Sequence, residues 1–206
     1  MMKGSGKSHI LFNIFHRGLD IFASLVILLL FLPFFPIIAF IIKYQSPGPL
    51  FFSQERTGLN GRTFRMYKFR SMHVNDDANR VQATLNDPRK FPFGKIMRKT
   101  SIDELPQIYN VLVGDMSLIG PRPHMLAHTD YYSKHIPYYM DRHAVKPGLT
   151  GWAQVTGWRG DTPELWMMEG RVIRDIWYID HRSIWLDIKI IFLTVGAVLF
   201  PAKGAH

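Results

Sequence analysis

A predominantly helical α+β fold attached to a membrane is predicted by three features of the sequence. Residues Ile21–Ile42 form an almost uninterrupted apolar run, which is typical of a membrane helix. Two short segments of alternating character flank Asn60-Gly61 and predict a β-hairpin. Apolar residues at helical spacing recur through the second half of the chain and predict further helices. The predicted architecture is a re-entrant or spanning membrane helix, a small hairpin and interfacial amphipathic helices around one compact domain.

The composition narrows the class of protein and of partner. A chain of 206 residues with 47% hydrophobic residues can form a folded core, which excludes a disordered or fibrous protein. Lysine and arginine exceed aspartate and glutamate by 25 − 16 = 9. This excess predicts an anionic partner: nucleic acid, phospholipid headgroups or a phosphorylated substrate. The absence of cysteine excludes disulfides, thiolate catalysis and cysteine-ligated zinc.

The first part of the chain, residues 1–44, is a polar leader followed by the apolar run. Gly4-Ser-Gly-Lys-Ser8 lacks the first glycine of a phosphate loop and the strand before it, so we interpret it as leader. The run Ile21–Ile42 would reach ~33 Å as a helix, enough to cross a bilayer. Pro33 and Pro36 interrupt it, and each removes a backbone donor. The residues by themselves leave a spanning helix and a re-entrant helix equally open.

Residues 45–206 form the second part, which begins with the hairpin. Strands are predicted at Leu50–Arg56 and Arg62–Phe69, joined by a type I′ turn at Asn60-Gly61. The second strand mixes aromatic and basic side chains, a combination that suits single-stranded nucleic acid. It equally suits an edge lying on lipid headgroups, and the neighbouring apolar run favours this second interpretation.

An acidic pair, Asp103 and Glu104, precedes a helical apolar pattern and is the main candidate for chemistry. Ser101 and Glu104 have the spacing of a capping box, and Pro106 requires the helix to begin near the pair. The helix dipole and the nearby Arg98 should favour the ionised forms. An ionised carboxylate can act as a nucleophile or a metal ligand. A simple helix cap, without chemistry, explains the same spacing.

The segments after the pair offer contacts for a phosphate, a metal or a ring. The stiff Gly120-Pro-Arg-Pro123 turn fixes an arginine, which suits bidentate phosphate binding. His124 and His128 would face the same way on a helix. A metal site is one interpretation of this pair, and surface or substrate-contacting histidines are another, which we favour. Trp152 and Trp158 lie in a glycine-rich stretch and could stack on a ligand or pack in a core.

Two helical segments complete the chain. Pro163–His181 has helical periodicity, with charged residues among large apolar ones. Ser183–Phe200 is apolar, but Asp187 and Lys189 interrupt it, and the remainder is too short to span a membrane. We therefore predict an amphipathic helix lying in the membrane interface.

Seven short motifs stand in a fixed order along the chain. They are Ser46-Pro-Gly-Pro-Leu-Phe-Phe52, Gly58-Leu-Asn-Gly61, Tyr67-Lys-Phe-Arg-Ser-Met72, Ser101-Ile-Asp-Glu-Leu-Pro-Gln107, Gly114-Asp-Met-Ser-Leu-Ile-Gly-Pro-Arg-Pro123, Pro147-Gly-Leu-Thr-Gly-Trp-Ala-Gln-Val155 and Trp185-Leu-Asp-Ile-Lys189. Any one of them is weak evidence, but in this order they are specific. Together they resemble the monotopic phosphoglycosyl transferases of bacterial surface-glycan assembly, the sugar transferase family, over nearly the whole chain.

The resemblance implies an enzyme that transfers a sugar 1-phosphate from a UDP-sugar to polyprenyl (undecaprenyl) phosphate and releases UMP. It implies that Asp103 is the nucleophile, which forms a covalent aspartyl phosphosugar. Glu104 would serve a divalent metal, usually Mg²⁺. The positions matched to substrate- and phosphate-binding residues of the family are Lys68, Arg98, Arg122 and Asp175.

The resemblance also implies a location and partners. The membrane helix would be re-entrant and bent at Pro33, and residues 45–206 would form a cytoplasmic catalytic domain on the bacterial inner (cytoplasmic) membrane. The expected partners are the UDP-sugar, polyprenyl phosphate and membrane phospholipid, with no nucleic acid. A homodimer is compatible with the sequence.

The sugar is the least determined part of this expectation. Trp152 and the Gly157-Trp-Arg-Gly160 stretch are more similar to enzymes that transfer glucose or galactose phosphate in exopolysaccharide synthesis than to acetamidosugar enzymes. Two alternatives stay open: the same reaction with a UDP-N-acetylated sugar, and a non-enzymatic scaffold on the membrane surface. A nucleic-acid binder is a third hypothesis, resting only on the net charge and the basic, aromatic hairpin.

Overall fold

The fold is known from a computed structural model, which describes residues 6–75, 84 and 87–199. The eight α-helices within these ranges are α1 Gly6–Phe31, α2 Phe35–Gln45, α3 Pro92–Thr100, α4 Gln107–Val113, α5 Leu126–His135, α6 Trp152–Val155, α7 Leu165–His181 and α8 Ile184–Leu199. The strands are β1 Phe51–Thr57, β2 Thr63–Phe69, β3 Ser117–Ile119 and β4 Gly148–Thr150. Short 3₁₀ turns lie at Leu32–Phe34, Leu59–Gly61, Ile102–Glu104 and Tyr139–Ala144. The predicted helical α+β class is confirmed.

The hairpin forms as predicted, within one residue at each strand boundary. Strands β1 and β2 pair antiparallel, with Phe51 opposite Phe69. Asn60 and Gly61 both have positive φ, and Arg62 N donates to Leu59 O at 3.1 Å, as a type I′ turn requires. A second, two-stranded sheet pairs β3 with β4 in parallel, and this sheet had no signal in the sequence.

The apolar run forms a helical segment that is broken where the prolines predict. Among the described residues, one helical stretch is long and apolar enough to cross a membrane. It is Phe12–Gln45, with a mean hydropathy of 3.1. The 3₁₀ turn Leu32–Phe34 separates α1 from α2, with a proline in the first turn of each following element. The expected polar leader falls on residues 1–5, outside the described residues, and on Gly6-Lys-Ser8, which begins α1 instead.

The first arm of this segment is fixed to the rest of the protein by polar contacts. Arg17 donates to the carbonyls of Val111 at 2.5 Å and Leu112 at 2.6 Å. These carbonyls lie in the last turn of α4, where a helix leaves its acceptors unpaired, so Arg17 caps α4. Asp20 accepts from the backbone N–H of Leu118 at 2.9 Å. α1 therefore contacts the elements on both sides of Gly114, where α4 ends.

The second arm packs through apolar side chains against elements that come before the acidic pair in the chain. Ile38 and Ile42 of α2 are buried in one cluster with Phe69 of β2 and Met97 of α3. α2 thereby holds the hairpin and the helix that lead into the acidic pair. Both arms of the apolar segment thus contact the same compact domain.

The two indoles of the glycine-rich stretch are half-buried and pack against other side chains of the protein. Trp152 stacks on Trp177 of α7, with ring centroids 5.1 Å apart. Trp158 contacts Trp166 edge to face, and the Arg174 guanidinium lies 4.1 Å from the Trp158 ring centroid. Neither indole lines the large cavity described below. The structure therefore supports the packing interpretation of these two tryptophans.

The two late helices confirm the predicted segments. α7 begins two residues after the predicted Pro163, and α8 begins one residue after the predicted Ser183. Asp187 points inward from α8, where it accepts from Tyr178 OH at 2.8 Å and lies 3.1 Å from His16 Nε2 of α1. Trp185 and Phe192 are 81% and 74% exposed. An interfacial position for α8 stays a prediction.

Candidate active site

One large cavity opens beside the acidic pair. Its volume is about 730 Å³, and its lining residues come from the hairpin, α3, the acidic turn, the Gly-Pro-Arg-Pro turn, α5 and α7. Eleven lysines and arginines line it against four aspartates and glutamates. A cavity with this excess of cations attracts a multiply charged anion.

The acidic pair lies in a reversal between two helices. α3 ends at Ser101, which adopts the left-handed conformation with φ 59°, and the 3₁₀ turn Ile102–Glu104 follows at once. The next helix begins only at Gln107, so the predicted capping box is wrong: the Ser101 side chain makes no cap hydrogen bond. Ser101 Oγ instead accepts from Arg159 at 2.8 Å. The turn directs both carboxylates toward the cavity, which each of them lines.

Glu104 is held by two cations. Its Oε1 accepts from Lys68 Nζ at 2.8 Å and from Arg122 Nη2 at 2.5 Å, and its Oε2 accepts from Arg122 Nη1 at 3.3 Å. Burial alone would raise the pKa of Glu104, but the Arg122 and Lys68 charges outweigh it and hold that pKa well below its ordinary value. The structure thus brings three predicted site residues into one cluster.

Asp103 lies next to this cluster without a partner of its own. It is 4% exposed, and in the described part of the chain its carboxylate makes no hydrogen bond or ion pair. Burial raises its pKa to about 6, against the opposing charges of Lys68, Arg98 and Arg122. The prediction that the helix dipole and neighbouring cations keep its pKa low is therefore wrong, because desolvation is the larger effect. Arg98 lines the cavity, and its binding of a phosphate stays a prediction.

Asp175 lies behind the cavity, and it is not among the lining residues. It is 2% exposed and accepts from Arg142 Nη2 at 2.6 Å and Nε at 2.9 Å. Arg142 in turn donates to the backbone carbonyl of Arg122 at 2.8 Å and to His124 Nδ1 at 2.8 Å. The Arg142–Asp175 pair therefore fixes the turn that carries Arg122, and Asp175 supports the site from outside it. Arg142 had no distinctive signal in the sequence.

The comparisons with known proteins agree with this geometry. A profile of the bacterial sugar transferase family matches residues 11–201. The chain belongs to this family.

Relatives within the family carry related names. The chain is 57% identical over 160 residues to the UDP-glucose:undecaprenyl-phosphate glucose-1-phosphate transferase of Xanthomonas campestris pv. campestris, covering 77% of this chain and 33% of that protein. It is 52% identical to the protein of the same name from Escherichia coli (strain K12), covering 87% of this chain and 39% of that protein. These two relatives are therefore much longer than the part matched here.

A third relative is similar in length. The exopolysaccharide production protein PSS of Rhizobium leguminosarum bv. phaseoli is 44% identical over 193 residues, covering 91% of this chain and 96% of that protein. The part of the chain that is similar therefore makes up nearly the whole of this relative.

The donor set of this sugar transferase site suits a magnesium ion shared with a substrate. Mg²⁺ usually takes one or two protein carboxylates and completes its coordination with water and substrate phosphates. Glu104 Oε2 accepts only the 3.3 Å bond from Arg122, which leaves it able to accept a further ligand. No group of three histidine or carboxylate ligands occurs among the described residues. The donor set is compatible with a metal that is shared with a bound phosphate group, and none of the described histidines belongs to a group of three possible ligands.

Three further arginines of the cavity were not predicted from the sequence. Arg56 of β1 donates through Nη2 to Gln54 at 2.6 Å, and Arg171 of α7 donates to the carbonyls of Trp158 at 3.0 Å and Gly160 at 2.7 Å. Arg159, bonded to Ser101, is the third. All three line the cavity. Arg159 lies in the Gly157-Trp-Arg-Gly160 stretch, which the sequence connected only with the choice of sugar, whereas Arg56 and Arg171 lie in none of the motifs. Only the fold brings the three arginines to one cavity.

Proposed function

We propose that this chain transfers a sugar 1-phosphate from a UDP-sugar, UDP-glucose or UDP-galactose, to polyprenyl (undecaprenyl) phosphate and releases UMP. This reaction would initiate the synthesis of an exopolysaccharide or another surface glycan. The observation that carries the proposal is the carboxylate of Asp103, which is buried at the edge of a cationic cavity and makes no hydrogen bond or ion pair with any described residue. A buried carboxylate without hydrogen-bond partners is a stronger nucleophile than a solvated one.

In the first step, an oxygen of Asp103 attacks the phosphorus that carries the sugar. The bond from this phosphorus to the bridging oxygen breaks, and UMP leaves with that oxygen and the bond's electron pair. Lys68 and Arg122 lie beside the attacking group, so they can stabilise the negative charge that develops on the phosphoryl oxygens. Arg98, whose charge also acts on Asp103, can neutralise part of the charge on the leaving nucleotide.

In the second step, a phosphate oxygen of the polyprenyl phosphate attacks the same phosphorus. The bond between Asp103 and phosphorus breaks, the carboxylate is restored, and the sugar leaves on a lipid-linked diphosphate. Splitting the transfer in two lets a soluble donor and a membrane-bound acceptor use one site in turn. Two large anions then never occupy the cavity together.

In this proposal Glu104 would hold a magnesium ion that comes with the substrate phosphates. When bound, it would supply Lewis-acid polarisation of the diphosphate and neutralise part of its charge. Glu104 itself keeps Lys68 and Arg122 in place, because its carboxylate is the common acceptor of both. The role of Glu104 is therefore partly to orient the two cations around Asp103.

We further propose that the membrane segment is re-entrant, with the catalytic domain at the cytoplasmic face of the bacterial inner membrane. The support is that Arg17 of α1 and Ile42 of α2 both contact this domain. A straight spanning helix would carry one of these residues to the opposite side of the bilayer. Because the chain has no cysteine, single cysteines at residues 5 and 60 can test this. Both should react with an impermeant maleimide from the same side, and labelling from opposite sides would mean a spanning helix.

The reaction is tested by incubating the purified protein in lipid nanodiscs with Mg²⁺, each UDP-sugar and polyprenyl phosphate, and measuring UMP. Without the acceptor, intact-protein mass spectrometry should detect a hexose phosphate bound to the wild type. The adduct should be absent from Asp103→Asn and present in Asp130→Asn, an exposed carboxylate on α5. An adduct on another residue would refute the nucleophile. Liposome binding without consumption of any donor would favour the membrane scaffold instead.

A further inference from the structure

The cavity has a closed end whose polar groups are not used by the proposed chemistry. It lies where β1, the segment after the Gly-Pro-Arg-Pro turn, α5 and α7 meet. Thr57 N donates to His124 O at 3.2 Å, which fixes Arg56 of β1 beside His124. His128 of α5 and Met168 of α7 also line this end, and Met168 gives it an apolar surface. His124 is 4% exposed and Met168 is 1% exposed, so this end is shielded from solvent.

Two polar atoms at this end are buried without a hydrogen-bond partner. They are His124 Nε2 and Arg56 Nε, and this holds for all partners within the described part of the chain. Leaving a buried polar atom unpaired is costly, roughly 1–3 kcal/mol, so such atoms are normally paired with protein, water or ligand. Both residues line the cavity. A ligand there would supply the missing partners.

The hydrogen-bonding character of these atoms follows from their neighbours. His124 Nδ1 faces the guanidinium of Arg142 at 2.8 Å, and a guanidinium can only donate. Nδ1 is therefore the acceptor, and the ring proton of neutral His124 lies on Nε2. Burial and the charges of Arg142 and Arg171 lower the pKa of His124 well below its ordinary value, which keeps the ring neutral. The closed end thus offers two N–H donors, from His124 and Arg56.

His128 adds a third polar group, which can both donate and accept a hydrogen bond. Its pKa is lowered by burial and by the charges of Arg56 and Arg171, so its ring is neutral near pH 7. A neutral imidazole carries one donor and one acceptor. The closed end therefore combines uncharged donors, one acceptor and a methionine surface. Neighbouring hydroxyl groups on a compact ring match this set, because each hydroxyl both donates and accepts.

The two ends of the cavity suit different parts of a UDP-sugar. In the proposed reaction the sugar phosphate stays in the cavity from the first step to the second, whereas UMP leaves and the lipid phosphate enters. The part that stays can occupy the closed end, and the parts that exchange need the open end. Lys95 and Lys99 of α3 line the cavity and are exposed, so we assign the open end to the side of α3. α3 packs on α2 of the membrane segment, so the open end is also the one beside the lipid.

We propose that the closed end is the subsite for the hexose of the donor, in which His124, His128 and Arg56 bind its hydroxyl groups and determine which sugar is accepted. This inference rests on the proposed function, because it assumes a UDP-hexose as donor. An acetamido group in place of a hydroxyl would have to fit beside Met168 and the two histidine rings. The subsite therefore favours an unsubstituted hexose.

The test combines protein variants with donors that lack single hydroxyl groups. UMP release is measured for the wild type with UDP-glucose or UDP-galactose, whichever it uses, and with the corresponding deoxy donors. His128→Phe keeps a ring of similar size and removes both hydrogen-bonding atoms. It should lower kcat/KM about tenfold with the full donor, as expected for the loss of about one hydrogen bond. With the deoxy donor that lacks the hydroxyl bound by His128, kcat/KM of the His128→Phe variant should fall no further. The kcat/KM of the wild type should fall about tenfold with the same donor.

Controls separate the subsite from folding and from nucleotide binding. His135 is exposed on the same helix, so the His135→Phe variant should have the kcat/KM of the wild type. Arg56→Lys removes Nε and keeps the charge, so it tests the subsite independently if a histidine variant fails to fold by circular dichroism. The inhibition constant of UMP should not change in any of these variants. A parallel rise in that constant would assign the closed end to the uridine and overturn the proposal.

The two proposals fail in different ways. Wild-type protein that releases no UMP from any UDP-sugar would refute the proposed function and the subsite with it. An active wild type whose folded His128→Phe and Arg56→Lys variants respond to every deoxy donor as the wild type does would refute the subsite alone.

Discussion

Asp103 and Glu104 are neighbours in the chain with the same kind of side chain, yet their environments are opposite. Glu104 accepts three hydrogen bonds from Lys68 and Arg122, and its pKa is held well below the ordinary value. Asp103 accepts none from the described residues, and burial raises its pKa to about 6. One turn of 3₁₀ helix therefore holds one paired carboxylate and one unpaired carboxylate side by side.

The difference assigns the two acids to different tasks. A carboxylate that two cations already neutralise is a poor nucleophile, but it is a good anchor for those cations. A carboxylate that is desolvated and unpaired is less stable in its charged form and gains most by bonding to phosphorus. Pairs of acids whose pKa values are pushed apart are a common sign of an active site. The same pattern here supports Asp103, not Glu104, as the group that reacts.

The largest expected effect is that removing the two charges changes stability in opposite directions. Asp103→Asn should eliminate turnover and raise the melting temperature at pH 8. Its pKa rises from 3.8 to about 6, so its ionised form costs roughly 1–3 kcal/mol of stability above pH 6 and nothing below pH 4. Glu104→Gln should remove the charge that pairs with Lys68 and Arg122 and lower the free energy of unfolding by about 3–5 kcal/mol. Its turnover should fall about 100-fold.

Both stability changes are measured by differential scanning fluorimetry of the protein in nanodiscs. Asp130→Asn, which removes an exposed carboxylate, serves as the matched control and should shift the melting temperature little. If Asp103→Asn and Glu104→Gln shift it in the same direction, the two carboxylates are not in opposite environments. That result would contradict the inference that Glu104 is stabilised by ion pairs and Asp103 is destabilised by burial.

A smaller effect is expected at Asp175, which supports the paired side of the site through Arg142. Asp175→Asn should lower kcat about tenfold, because the turn carrying Arg122 loses its fixed support. The double variant Arg142→Met with Asp175→Leu removes both buried charges and should recover stability without recovering kcat. Recovery of both would mean that the pair only stabilises the fold. Full activity of the single variant would exclude any role in positioning Arg122.

The smallest effect is a shift in titration, which measures the contrast directly. Carbon-13 NMR of protein labelled at its carboxyl carbons, without added metal, should contain one aspartate resonance that titrates near pH 6. That resonance should be missing from Asp103→Asn and retained in Asp130→Asn. The resonance of Glu104 should titrate well below the ordinary pH of a glutamate, since the charges of Arg122 and Lys68 favour its ionised form. An Asp103 resonance that titrates near its ordinary pH would contradict the desolvation argument.

Local patterns predicted the local structure well. The positive φ at Asn60 and Gly61, the end of α4 at Gly114 and the break near Pro33 all depend on residues that are adjacent in the chain. The pKa of Asp103 could not be predicted in this way. The sequence places cations and a helix beside it, whereas its burial depends on residues that are distant in sequence.

The sequence by itself determined the family, the helical α+β class, the broken apolar segment and the acidic pair, because each depends on short-range spacing or on ordered motifs. Only the tertiary structure decided that Asp175 supports Arg122 from behind, that the two indoles pack in the protein, and that Arg56, Arg159 and Arg171 line the cavity. It also decided which of two adjacent carboxylates is paired. The physical reason is that desolvation and ion pairing are set by contacts between distant segments, which no local pattern encodes.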